Sequence, residues 1–129
     1  MTKDPKEWFR QADYDLETAE FMFDGGRYFY AVFMSHLAIE KALKGLFQKR
    51  LKQMPPKVHN LIFLVEKTAL KPPGHLYDWI FSLNRVSVPT RYPENLGKLQ
   101  KEFSKVKSGE IIQKSKELLE WLKAQLKRP

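Results

Sequence analysis

The chain contains no cysteine. That absence excludes thiol nucleophiles, disulfides and cysteine-ligated metals, and it fits a reducing compartment such as the cytoplasm. Also missing is any run of about 18 uncharged apolar residues, so no membrane span and no membrane partner is expected. The first turns carry carboxylates and Trp8 rather than the apolar stretch of a signal peptide. Strand-like alternation, internal repeats and low-complexity tracts are lacking, as are an HExxH metal signature and a phosphate-cradling glycine loop. Neither a metal nor a cofactor is therefore expected, and no catalytic set stands out.

What is present points to a packed helical chain. Its 129 residues suffice for one domain, expected over 1–129, and they include three Trp, five Tyr and nine Phe. Aromatic side chains of this number supply large buried areas and argue against disorder. The formal net charge is +8 and is unevenly spread. Residues 1–50 hold eight basic and eight acidic side chains, while residues 51–129 hold fifteen basic and seven acidic. Within residues 1–26 the balance is acidic, seven carboxylates against three bases. A basic half can attract nucleic acid, nucleotides or an acidic protein, or it can be a solvated lysine-rich surface.

Helix signals follow one another along the chain. Asp4-Pro5-Lys6-Glu7 combines a cap, a first-turn proline and a carboxylate at the capping-box position. Trp8, Ala12, Leu16, Ala19 and Phe23 continue at helical spacing until Gly25-Gly26. A central helix is predicted from about Arg27 to Lys52. One side is small (Ala31, Ser35, Ala38, Ala42, Gly45) and the adjoining side bulky (Val32, Ile39, Leu43, Leu46, Phe47). A helix so widely apolar belongs at the middle of a bundle, antiparallel to its predecessor because the connection is short. Pro55-Pro56 breaks the pattern. A third helix is predicted from Val58–Asn60, carrying Leu61, Leu64, Val65 and Ala69. A fourth is predicted over His75 to Arg85, with Leu76, Trp79, Ile80 and Leu83 inward. Residues 87–95 read as the longest irregular segment and 96–107 as partly helical. A last helix starts near Ser108 and carries Ile111, Ile112, Ser115, Leu118, Leu119, Leu122 and Leu126. The fold class expected is all-α, an up-and-down four-helix bundle with an additional short helix.

The order of short motifs resembles one family. Gly26-Arg27-Tyr28-x-x-Ala31 precedes the small-residue stripe, which leads into Glu40-Lys41-Ala42-Leu43-Lys44. Pro55-Pro56-Lys57-x-His59 follows, then Asn60-Leu61, Leu83-Asn84 and Arg91-Tyr92-Pro93. This sequence resembles the HEPN domain from about residue 6 to about residue 126. The resemblance implies a dimer-forming helical bundle that binds nucleotide or RNA. It also implies a two-component, toxin–antitoxin-like pairing with a minimal nucleotidyltransferase. Some members of the family are metal-independent ribonucleases with an Arg four to six residues before a His. Here His36 and His59 each follow the nearest arginine, Arg27 and Arg50, after eight intervening residues, and His75 lies farther still. The standard ribonuclease motif is absent.

Within this frame the candidate residues carry paired readings. Lys57 and His59 precede a helix N-terminus, where amide groups favour an anion; alternatively His59 caps that helix or packs on Pro55-Pro56. Arg91 can grip a phosphate and Tyr92 can stack on a base; alternatively Tyr92-Pro93 anchors the loop and Arg91 pairs with a carboxylate such as Glu40. Glu40, Lys41 and Lys44 form either one wall of a polar groove or a structural ion-pair cluster, Glu40 and Lys44 having the favourable four-residue order. His36, alone on an apolar helix, reads as a core or interface residue. A variant ribonuclease using His59 and Arg91, and a purely structural dimeric partner, are the alternative functions.

Overall fold

Asp4 starts the first helix, its carboxylate accepting from the Lys6 amide at 2.8 Å. The computed structural model describes residues 4–128. In it α1 spans Pro5–Asp24 and α2 Tyr28–Leu51. Gly26, at φ +79°, makes the left-handed turn between them, where a side chain would be strained. The capping-box expectation fails at Glu7, whose carboxylate turns to Arg10 and Gln11 instead.

The two long helices run antiparallel and close together. Gly45, late in α2, lies against Trp8 and Phe9 at the start of α1; a methyl group there would meet the Trp8 Cβ at 3.0 Å. Ala12, Ala19, Ala31, Ala38 and Ala42 are all fully buried, so the small stripe does bring the neighbouring backbone near. Bulky Ile39, Leu43 and Leu46, equally buried, fill the space toward the remaining helices.

The last long helix, α7 (Lys105–Leu126), starts three residues before the position predicted, because Ser104 caps it by accepting from the Lys107 amide. It packs on α2 and α1. The acidic first helix and the basic C-terminal half consequently meet. Glu20 pairs with Lys116 at 2.8 Å and Asp13 with Lys123 at 2.7 Å. Part of the charge asymmetry is therefore used inside the molecule and is not offered to a partner. Burial of Lys123 opposes its charge, yet the Asp13 and Glu120 carboxylates outweigh that and raise its pKa.

Between α2 and α7 come four shorter helices: α3 (Leu61–Lys67), α4 (Gly74–Arg85), α5 (Ser87–Arg91) and α6 (Leu96–Glu102). Two expectations need correction. Ala69 is not on α3; it follows the helix at φ +55° and is exposed. The segment 87–95 is not wholly irregular, since residues 87–91 form α5. Pro89 is tolerated because it stands in the first turn, where its missing N–H has no helical acceptor to lose. Among the described residues there is no strand, and no helix is long and apolar enough to cross a membrane.

Candidate functional site

Four side chains of α2 share one stripe: Phe33, His36, Glu40 and Lys44, at spacings of three and four residues. His36, Glu40 and Lys44 are buried. Glu40 is the hub. Its Oε2 accepts from Lys44 Nζ at 3.0 Å, and its Oε1 accepts from His59 Nδ1 at 2.9 Å. His36 Nδ1 is farther from the same oxygen, at 3.8 Å. Burying a carboxylate is costly unless charge and hydrogen bonds compensate, and here both oxygens are engaged.

His59 reaches Glu40 from the segment between Pro55 and α3. Pro55 is buried and holds that segment against the bundle. Asn60, not His59, caps α3, accepting from the Phe63 amide at 3.0 Å. The Leu61 amide donates to Asn84 Oδ1 at 2.7 Å, which ties the start of α3 to α4. His59 is thus fixed from both sides. Because a carboxylate only accepts, the neutral imidazole carries its proton on Nδ1. Nε2 is then the nitrogen left for a ligand, on a side chain that is 50% exposed.

Arg91 approaches the other end of the stripe from the last turn of α5. Its guanidinium carbon lies 4.8 Å from the Phe33 ring centroid, a cation–π contact. The alternative pairing of Arg91 with Glu40 does not occur; the Glu40 oxygens are engaged by Lys44 and His59. Instead Arg91 Nε and Nη2 are buried without an acceptor. These two N–H groups form the edge with which an arginine grips an oxyanion side-on. Leaving such donors unpaired costs about 1–3 kcal/mol or more.

His36 lies between these groups. It is fully buried, and neither ring nitrogen makes a hydrogen bond of normal geometry. Burial lowers its pKa from 6.5 to about 4. The Glu40 charge opposes that shift, Arg91 and His59 reinforce it, and a contact with the His59 backbone opposes it again. His36 is therefore a neutral imidazole, and Arg91, His59 and Glu40 all act on it electrostatically. Phe33, which meets Arg91, and Glu40, which meets His59, stand seven positions apart on α2, about 10 Å along its axis.

The other sequence-predicted residues fall around this core. Lys57 and Tyr92 are exposed, Tyr92 at 68%. Lys41 is a correction: it points to α1 and pairs with the buried Asp15 at 2.8 Å, away from Glu40. Sequence reasoning read His36 as a core or interface residue and did not single out Phe33; their four- and seven-residue spacing from Glu40 was the available signal. No group of three or more His, Cys, Asp and Glu suited to a metal occurs among the described residues.

A small helical bundle with a polar stripe on its central helix, met by a histidine and an arginine from the connecting segments, defines a recognisable class. The family model described as HEPN domain matches residues 5–125. The chain belongs to the HEPN family. ST0689, described as an archaeal HEPN homologue, has a crystal structure that is 30% identical, covers 98% of this chain and 100% of its own, and superimposes with a TM-score of 0.79. The crystal structure of TT1696 from Thermus thermophilus is 23% identical, covers 93% of this chain and 96% of its own, and gives a TM-score of 0.80, a likeness of fold. No curated protein matches the chain.

Proposed function

We propose that this HEPN protein is a nucleotide- or RNA-binding interaction module, with the phosphate held near Arg91 and His59. The observation that carries the reading is the acceptor-less Nε/Nη2 edge of Arg91, whose guanidinium lies beside the Phe33 ring on the same stripe of α2 that meets His59 through Glu40. The roughly 10 Å between the two attachment points favours a nucleotide or a short RNA over a lone phosphate. Lys57, next to His59, adds charge at the rim, and exposed Tyr92 offers a face for a base.

Support for an interaction role lies on α4 and α5. Tyr77 and Phe81, four residues apart on α4, are 36% and 51% exposed, and Val88 on α5 is 68% exposed. Such a face suits the homodimer and the minimal nucleotidyltransferase partner expected for a cytoplasmic toxin–antitoxin-like pair. A second reading, a ribonuclease with a non-standard site, draws on the Glu40–His59 pair, which leaves His59 Nε2 free for proton transfer.

Calorimetric titration with adenosine monophosphate and with a short single-stranded RNA tests the binding. Arg91→Ala is expected to weaken binding of either by about tenfold or more, the worth of a charge-assisted contact. Undetectable binding of both to the wild-type chain would remove the proposal. Electrophoresis of the recovered RNA separates the two readings: intact RNA supports the module, and cleavage that disappears in His59→Ala supports the enzyme.

A further inference from the structure

A second site lies away from the polar stripe. A cavity of about 430 Å³ opens where α4, α5 and α6 meet α7, and none of Phe33, His36, Glu40, His59 or Arg91 lines it. Its size falls within the range of small-molecule sites. The floor is apolar, formed by Leu83, Phe103, Ile111 and Leu118 among others. Trp79 makes one wall, held by the edge of the His75 ring at 5.3 Å and 90°.

The rim is cationic and unspent. Arg85, Lys107 and Lys114 reach it, and among the described residues none of them is in an ion pair. Lys107 lies 5.2 Å from the Phe103 ring centroid and Lys114 lies 5.5 Å from that of Trp79, so both ammonium groups rest on the cavity's aromatic walls. Lys107 also stands in the first turn of α7, which holds no acidic residue and where the helix dipole adds positive potential. Glu102 and Glu110 reach the same rim. Three cations against two carboxylates leave a net +1, which matches a single negative charge and disfavours a polyanion.

We propose that this cavity binds an amphipathic organic monoanion: a flat apolar body against Trp79 and Phe103, with one anionic group toward Arg85 and Lys107. The proposal is independent of the phosphate site and requires nothing from it.

The probe is 1-anilinonaphthalene-8-sulfonate, with uncharged N-phenyl-1-naphthylamine as its neutral counterpart, both titrated by fluorescence into the full chain. The sulfonate is expected to bind saturably with one-to-one stoichiometry and to take up tryptophan emission, a transfer that falls in Trp79→Phe. Arg85→Glu and Lys107→Glu, at exposed positions, are each expected to weaken it by about tenfold, the equivalent of one charged contact. The neutral probe is expected to bind more weakly by a similar factor and to ignore both substitutions. Phe21→Ser, at a 78% exposed site on α1, is expected to change nothing. Unsaturable sulfonate binding, equal affinity for the neutral probe, or unchanged affinity in both charge reversals with helical circular dichroism retained would each overturn the proposal.

Discussion

Glu40→Ala is expected to lower the unfolding free energy by about 3 kcal/mol, from a total of about 5–15 kcal/mol for a domain of ordinary stability. The substitution removes the one acceptor shared by Lys44 and His59. Lys44 is itself buried, so its charge is left without compensation. His59 loses the bond that fixes its ring, and the segment from Pro55 to Asn60 loses one of its ties to α2. Glu40→Gln retains an acceptor and is expected to cost less, about 1–2 kcal/mol. A Glu40→Leu/Lys44→Met double variant removes both charges and is expected to recover part of the loss, because the penalty comes from the orphaned charge. Urea denaturation at neutral pH, followed by circular dichroism, measures all three. A Glu40→Ala midpoint equal to that of the wild type would mean that the ion pair is marginal.

Acid is expected to destabilise the fold through His36. The folded state holds this imidazole neutral down to about pH 4, whereas the unfolded chain takes up a proton at 6.5. The His36 contribution is therefore fully present above pH 6.5 and is lost as pH falls toward 4, where the unfolded state binds the extra proton. A shift of this size corresponds to about 3 kcal/mol across the window. The groups facing His36 do not cancel it: Glu40 favours the charged ring, but burial, Arg91 and His59 together outweigh that. His36→Leu removes the titrating ring and leaves the carboxylates in place. Comparing urea unfolding at pH 7 and pH 4.5 for the two proteins isolates the His36 share. The wild type is expected to lose about 2–3 kcal/mol more than the variant; equal losses would show that His36 is protonated at little cost.

The helices were legible where a local rule fixed their ends. Asp4 and Gly25-Gly26 do what their side chain and backbone freedom suggest, whereas the cap of α3 is Asn60 and not the His59 that the sequence offered. The small stripe on α2 correctly announced a close neighbour, because Ala and Gly spacing is itself the cause of the approach at Trp8 and Phe9. The reading of α5 failed because Pro89 looks like a breaker until its place in the first turn is known. Ala69 was misplaced because the apolar pattern continues past the point where the chain turns left-handed.

At the site, the Glu40–Lys44 pair was readable, since both residues lie on one helix four apart. Contacts that join distant segments were not. Spacing along the chain could not show that Lys41 reaches Asp15 on α1, that His59 rather than Arg91 takes the second Glu40 oxygen, or that Arg91 rests on Phe33. Those pairings depend on where α1, α5 and the segment before α3 lie against α2, and tertiary packing decides that. The buried, unpartnered atoms of His36 and Arg91 become visible only once the neighbours are in place.

The phosphate site is the central claim, and amide chemical-shift mapping during titration with adenosine monophosphate or short RNA tests it most directly. The largest changes are expected around Lys57–Leu61 and Thr90–Tyr92, with smaller ones on α2 between Phe33 and Glu40. Saturating ligand that leaves these amides unmoved, or that shifts only those around Trp79, Phe103 and Ile111, would contradict it.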